Sequence, residues 1–208
     1  MLTRRRSSKV ALVLLASLSA CKSSGPERDG GGAQEAGSSA AEQASGPISR
    51  ARGMTKAFAT ELQSTLLAAI EAGGPAHAID VCKQAAPKIT AAQGSEGWTL
   101  SRTALRVRNP GNAPTSWQRD VLASWQAQLE AGEVQDVASL EWFDIHDGEL
   151  RYMRAIPLGG VCVGCHGPVE QISAEVKAAL AERYPDDQAT GFEVGQLRGA
   201  FVVMGPVD

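Results

Sequence analysis

The chain has 208 residues, enough for one domain with extra segments and too few for two full cores. Apolar residues make up 43% and charged residues 21%, which excludes disorder throughout, and aromatics at only 5% leave the core to Leu, Val, Ile and Ala. Four of the 20 basic residues lie in residues 1–20, which hold no acid, so the remainder carries 16 basic against 23 acidic residues and has no basic stripe of the kind that binds nucleic acid.

Arg4 to Lys9 form a basic start and Val10 to Ala20 an apolar run of eleven residues. A bilayer span needs about twenty apolar residues, so the run reads as a secretory signal over residues 1–20. Leu18-Ser19-Ala20-Cys21 resembles a bacterial lipobox, in which the cysteine is acylated and becomes the new N-terminus. More than one acyl chain on Cys21 gives stable attachment to a membrane. Lys22 after the cysteine resembles the outer-membrane sorting pattern, so the expected location is periplasmic and lipid-anchored. In residues 22–50, Gly, Ser, Ala and Pro fill 19 of 29 positions without apolar periodicity. Residues 21–50 are therefore expected to be a flexible linker spanning on the order of 30 Å, with the folded domain over 51–208.

Met54, Phe58, Leu62, Leu66 and Ile70 predict one helix, ended by Gly73-Gly74. Ile79, Cys82, Ala86 and Ile89 line a second, which Pro87 should kink. Alternation from Trp98 through Leu100 and Arg102, continued by Leu105 and Val107, suggests a strand, and residues 109–114 are turn chemistry. Trp117, Val121, Trp125 and Leu129 form a third helical stripe closed by Gly132. Two β-like runs, 139–145 and 150–157, flank an Asp147-Gly148 hairpin signal. A loop over 158–171 follows, then a short helix capped by Ser173 and a buried last strand over 199–204. Helices and strands without βαβ regularity indicate an α+β domain around an antiparallel sheet.

The 158–171 loop contains Cys162-Val163-Gly164-Cys165-His166, the Cys-x-x-Cys-His pattern of covalent haem c attachment. Two cysteines at that spacing reach the two vinyl groups of one porphyrin, and the next residue supplies an imidazole to the iron. The export signal supplies the compartment in which such attachment occurs. A thioredoxin-like dithiol would need a strand–helix setting that Gly167-Pro168 does not offer. A zinc site could draw on Cys82, Cys162, Cys165 and His166, but adjacent residues rarely converge on one small tetrahedral ion. A disulfide between Cys162 and Cys165 would be strained.

With Cys21 assigned to lipid and Cys162 and Cys165 to haem, Cys82 is left over in an oxidising compartment. It is either a small apolar filler on a helix face or the second axial ligand, with Met54, Met153, Met204, His77 and His146 as rivals. His77 lies five positions before Cys82, about 140° around the helix, so the two cannot face one iron.

Several blocks together resemble a bacterial single-haem c-type cytochrome family with a PAS-like fold, catalogued as a domain of unknown function. They are Ala78–Cys82 with Ala86–Ile89, Gly97–Thr103 with Val107–Asn112, Arg151–Pro157 leading into Cys162–His166, and Tyr184–Gly191 with Gly195–Phe201. The resemblance covers about residues 54–206 and implies a PAS-like antiparallel sheet with N-terminal helices and a haem-binding loop. It also implies His/Cys axial ligation, with His166 on one side of the iron and Cys82 on the other. Arg102, Arg106 or Arg108 are candidates to meet the haem propionates, Arg108 foremost, while Glu182 and Asp186-Asp187 read as a solvated helix end.

Paired catalytic carboxylates, a nucleophile triad and a phosphate loop are all missing, so no enzyme activity is expected. The expected role is redox or small-ligand sensing, or low-potential electron transfer, with a plain carrier cytochrome as the alternative. Since the chain carries no recognisable output segment, a separate redox or signalling partner is expected, and a sensor would bind a small diatomic ligand.

Overall fold

The computed structural model describes residues 32–207, with side chains from Ser45 onward. The signal segment, Cys21 and the first part of the linker lie outside the described residues.

A long helix, α1 (Gly32–Gln93), opens the structure and is broken at Gly74, whose φ of 79° and ψ of 176° leave the helical region. Glycine is the residue that reaches this geometry without steric cost, and Pro75 restarts the helix in the position where a missing N–H matters least. Pro87 stays within helical dihedrals, so the kink predicted there does not form, whereas the break predicted at Gly73-Gly74 is present at Gly74. The helix also begins earlier than the sequence suggests. Ile48 and Ala51 are 7% and 0% exposed and share the packed face of Met54 and Phe58. The small residues around them mask that periodicity, which is why the segment reads as linker.

The sheet has four antiparallel strands in the order β1-β4-β3-β2: β1 (Thr99–Thr103), β2 (Glu141–His146), β3 (Glu149–Pro157) and β4 (Leu197–Pro206). The β2–β3 hairpin turns where Asp147 and Gly148 both take positive φ, 52° and 75°, as the Asp-Gly signal requires. Its register pairs His146 with Glu149 and Trp142 with Met153. Central β3 and β4 are covered on both faces. Leu150, Tyr152 and Val203 pack under α1, with Phe58 and Met54, while Met153, Ala155, Ala200 and Val202 face α2 (Ser116–Glu130) through Val121, Leu122 and Trp125. Period-two alternation on the strands thus feeds two separate apolar layers.

The ends of α2 and of α4 (Ala174–Arg183) follow local chemistry. Gly132, at φ 71°, closes α2 with bonds from its own N–H to Leu129 O and from Glu133 N–H to Gln128 O, a Schellman arrangement. Ser173 Oγ accepts from Val176 N–H at the start of α4. Val176 and Leu180 then bury against Ile79 of α1, which fixes the second half of α1 over the loop that follows β3.

One strand is shorter than predicted. β1 stops at Thr103, and Leu105 and Val107 lie beyond the sheet. Thr103 pairs with Ala200, its Oγ1 donates to Asn112 O, and Asn109 Oδ1 accepts from Gly111 N–H, so the chain bends away into a turn. That bend carries Arg106 and Arg108 out of the sheet and toward the Cys-x-x-Cys-His loop. No helix among the described residues is long and apolar enough to cross a membrane.

Candidate haem site

After β3 the chain forms a 3-10 turn, Gly160–Cys162, that runs into a single helical turn, α3 (Val163–His166). Gly167 ends it where a Cβ would stand 2.5 Å from Val163 Cγ1 and 2.6 Å from Val163 O, so a side chain could enter only by displacing the turn. The motif backbone is then stitched to the segment before β4. Gly191 N–H donates to Gly167 O at 2.7 Å and Phe192 N–H to His166 O at 3.0 Å.

Cys162 packs beside Leu158, Ala189 and Phe192, whereas Cys165 packs into the cluster of Ile79, Ile172, Val176 and Leu180. Ile79 sits one helical turn before Cys82, so the face of α1 that carries Cys82 is the face toward Cys165. All three described cysteines are free thiols and half-buried. Burial pushes the Cys165 thiol up, nearby Arg108 pulls it back, and Cys82 lies close enough to add to the rise. Cys82 itself is pushed up by burial and drawn down by Arg102.

His166 Nδ1 is 2.6 Å from Ala189 O, and a carbonyl can only accept, so Nδ1 carries the proton and Nε2 keeps its lone pair. Arg198 Nε lies 3.2 Å from the same Nδ1, which with this tautomer is an approach of two N–H groups and no hydrogen bond. Arg108 Nη1 lies 3.4 Å from Nε2. Burial, followed by Arg108 and Arg198, holds the imidazole well below its ordinary pKa, so the ring is neutral. A neutral imidazole with Nδ1–H tied to a backbone carbonyl is oriented as a metal ligand through Nε2.

Asp187 organises this arrangement. Its Oδ2 accepts from Arg108 Nε at 3.0 Å, and its Oδ1 accepts from Ala189 N–H at 2.8 Å. Arg108 Nη2 donates to Cys165 O at 2.6 Å and to Ala189 O at 3.3 Å. The Asp187 and Arg108 side chains are only 9% and 13% exposed, so the solvated helix end expected for Asp187 is instead a buried ion pair. Asp187 bonds back to the backbone two residues on, an Asx-turn pattern that the Asp-x-Ala spacing could have suggested. Glu182, by contrast, is exposed and pairs with Arg183, which also grips Asp80 of α1.

The sequence reading also overlooked Arg198. Its guanidinium lies 5.5 Å from the Phe192 ring centroid, Arg106 lies over the same ring at 4.1 Å, and burial brings Arg198 down to a pKa of about 10. The rivals of Cys82 stand elsewhere. Met54 belongs to the core under α1, Met153 and Met204 pack on the α2 side, His77 is exposed, and His146 sits at the hairpin beside Asp147. Among the described residues no three His, Cys, Asp or Glu side chains gather as ligands of one ion, so the three cysteines and His166 do not form a tetrahedral zinc set. Two thiols on one short turn, a neutral imidazole presenting Nε2, a third thiol across from them and a surplus of guanidinium groups suit an iron porphyrin with carboxylate substituents.

Fold and site together define an α+β domain built around an antiparallel sheet and a Cys-x-x-Cys-His turn. Residues 33–206 match the Tll0287-like family model, and the chain belongs to that family. It is similar to the solved crystal structure of the cyanobacterial heme-protein Tll0287, at 27% identity and a TM-score of 0.50, over 74% of this chain and 93% of that one. Among curated proteins none matches the chain.

Proposed function

We propose that this protein carries one covalent haem c and works in redox or small-ligand sensing or in low-potential electron transfer. Cys162 and Cys165 would form the thioethers, His166 would ligate the iron through Nε2, and Cys82 would be the second axial ligand. The observation that carries this reading is the His166 imidazole, held neutral by burial and fixed by Ala189 O so that its unprotonated Nε2 meets only Arg108 Nη1 at 3.4 Å among the described residues, on the turn that also presents both thiols. The cyanobacterial structure of the same family is of a heme-protein, which supports the cofactor class.

A bound haem supplies one-electron exchange or the binding of a diatomic ligand, and the residues of this chain set which of these is available. Arg108 and Asp187 hold the motif turn and the carbonyl that orients His166. An anionic sulfur at Cys82 would favour ferric iron and lower the potential, unlike the His/Met pair that raises it. The apolar packing of Cys165 and Ile79 against α4 limits water on that side. Export and a lipid anchor at Cys21 complete the reading, with a separate redox or signalling protein as partner.

Absorbance is the direct test. Purified from a host that matures c-type cytochromes, the protein should keep its Soret band after acid-acetone extraction; a colourless protein from that host would overturn the proposal. Potentiometry with CO challenge then divides the roles. A low midpoint with CO binding on reduction supports sensing, whereas an unchanged ligand set with fast exchange to a second cytochrome makes it a carrier.

A further inference from the structure

We propose that Arg198 and Arg102, and not Arg108, are the residues that hold the two carboxylates of the haem, an assignment that rests on the haem reading above. Four guanidiniums, those of Arg102, Arg106, Arg108 and Arg198, lie within electrostatic reach of one another on this side of the domain, and only Arg108 has a carboxylate partner in an ion pair among the described residues. Arg108 is spoken for. Its Nε goes to Asp187, its Nη2 to Cys165 O and Ala189 O, and it acts as a strut for the motif turn.

Arg198 is half-buried and differently placed. Its Nη1 donates to Arg106 O at 3.2 Å, its plane lies by Phe192, and its Nε faces the protonated Nδ1 of His166. The fork is therefore positioned by backbone and ring contacts while its charge meets no anion. Arg102 is also half-buried. It lies over the Phe58 ring at 5.1 Å and has neither a hydrogen bond nor an ion pair among the described residues. Arg106 differs from both, being exposed and hydrogen-bonded to Gln188 O, so its charge is solvated.

A partly buried cation without a counter-ion is costly, and two of them at one site call for two anions. Planar guanidiniums match carboxylates in two-point geometry, so a ligand that brings a pair of carboxylates answers both. Arg102 lies within electrostatic reach of Cys82, and Arg198 lies against His166, so the two cations flank the site from the side of each proposed axial ligand.

The test compares equilibrium binding of ferric protoporphyrin IX iron and of its dimethyl ester to the full-length reduced chain. Wild type should prefer the free acid by about tenfold or more, the worth of a charge-assisted pair. Arg198→Gln and Arg102→Gln should each reduce that preference at least about threefold, while Arg108→Gln weakens both porphyrins alike and leaves the ratio standing. A wild-type ratio near one, a ratio untouched by the Arg198 and Arg102 variants, or its loss in Arg108→Gln alone overturns the assignment. The wild-type comparison needs no variant, so a substitution that fails to fold does not spoil it. If neither porphyrin binds wild type, the assignment fails, whereas the haem reading stands or falls separately on the Soret band of protein from the maturing host.

Discussion

His166 and Asp187 never touch, yet they share one backbone unit: Ala189 accepts the imidazole Nδ1–H through its carbonyl and gives its N–H to the Asp187 carboxylate. Arg108 closes the loop by bonding both Asp187 and the Ala189 carbonyl. The orientation of His166 is thus set from a segment more than twenty positions later in the chain.

Asp187→Asn should therefore destabilise the protein while leaving the turn at Ala189 in place. The amide can still accept from Ala189 N–H, but it leaves the guanidinium of Arg108 without a counter-charge where both side chains are nearly buried. Breaking such a pair from one side costs about 3 kcal/mol. Asp186→Asn, at an exposed neighbour, should stay within about 0.5 kcal/mol of wild type. Denaturant unfolding of the two variants checks this, and equal stability would mean that the ion pair does not hold the site.

A second network, remote from the motif, contributes to the response to pH. Tyr152 is fully buried in the central strand and its hydroxyl donates to Glu141, which Arg52 of α1 grips at 2.8 and 2.6 Å. The Arg52 hydrogen bonds hold the Glu141 carboxyl below its ordinary value, so this contribution is present above the unfolded carboxylate pKa and lost as the pH falls through the folded one. Burial, with help from Glu141, pushes Tyr152 up to about 12. Its contribution is present below the unfolded phenol value and fades as pH rises toward the folded value. Tyr152→Phe should cost about 1 kcal/mol at neutral pH and flatten the alkaline limb of the melting-temperature profile. A profile in which the alkaline limb is unchanged would count against this account.

What was legible in the sequence follows how local each cause is. The Asp147-Gly148 hairpin, the Ser173 cap and the Gly132 stop each depend on a few neighbouring residues, and the structure has all three, whereas the stretch expected as a loop over 158–171 winds into short helical turns at Gly160–Cys162, Val163–His166 and Val169–Gln171. Leu105 and Val107 continue a strand pattern, yet the chain leaves the sheet because Thr103 bonds Asn112 O nine residues on. Ile48 is invisible among small residues until α1 docks on Trp98 and Tyr152. The site divides the same way. Its motif residues are contiguous, whereas Asp187 and Arg198 reach it through tertiary contacts spanning 79 and 32 positions.

The proposed acylation at Cys21 carries its own prediction. Cys21→Ala should shift the protein from the membrane fraction to the soluble periplasm, since the apolar run of residues 10–20 is too short to anchor it. Fractionation with immunoblotting checks this. Membrane retention of the variant would point to another anchor.

The last prediction concerns Cys82. It shares an α1 face with Ile79, and Ile79 packs on the same α4 cluster as Cys165, so the thiol is fixed toward the motif by apolar contacts that do not involve its sulfur. Replacing the sulfur should therefore leave the packing intact and change only what the iron meets. On the haem c reading, Cys82→Ser should keep the cofactor and the melting temperature, shift the ferric spectrum toward high spin and raise the midpoint potential, because an anionic donor that favours ferric iron would be lost. Cys82→Met should keep a six-coordinate spectrum and raise the potential further, as a thioether favours the ferrous ion. Optical spectra with potentiometry on the matured protein separate these outcomes. An unchanged ferric spectrum in Cys82→Ser would remove Cys82 from the ligand set and return it to the role its burial alone would suggest, a small apolar residue filling the space between α1 and the motif turn.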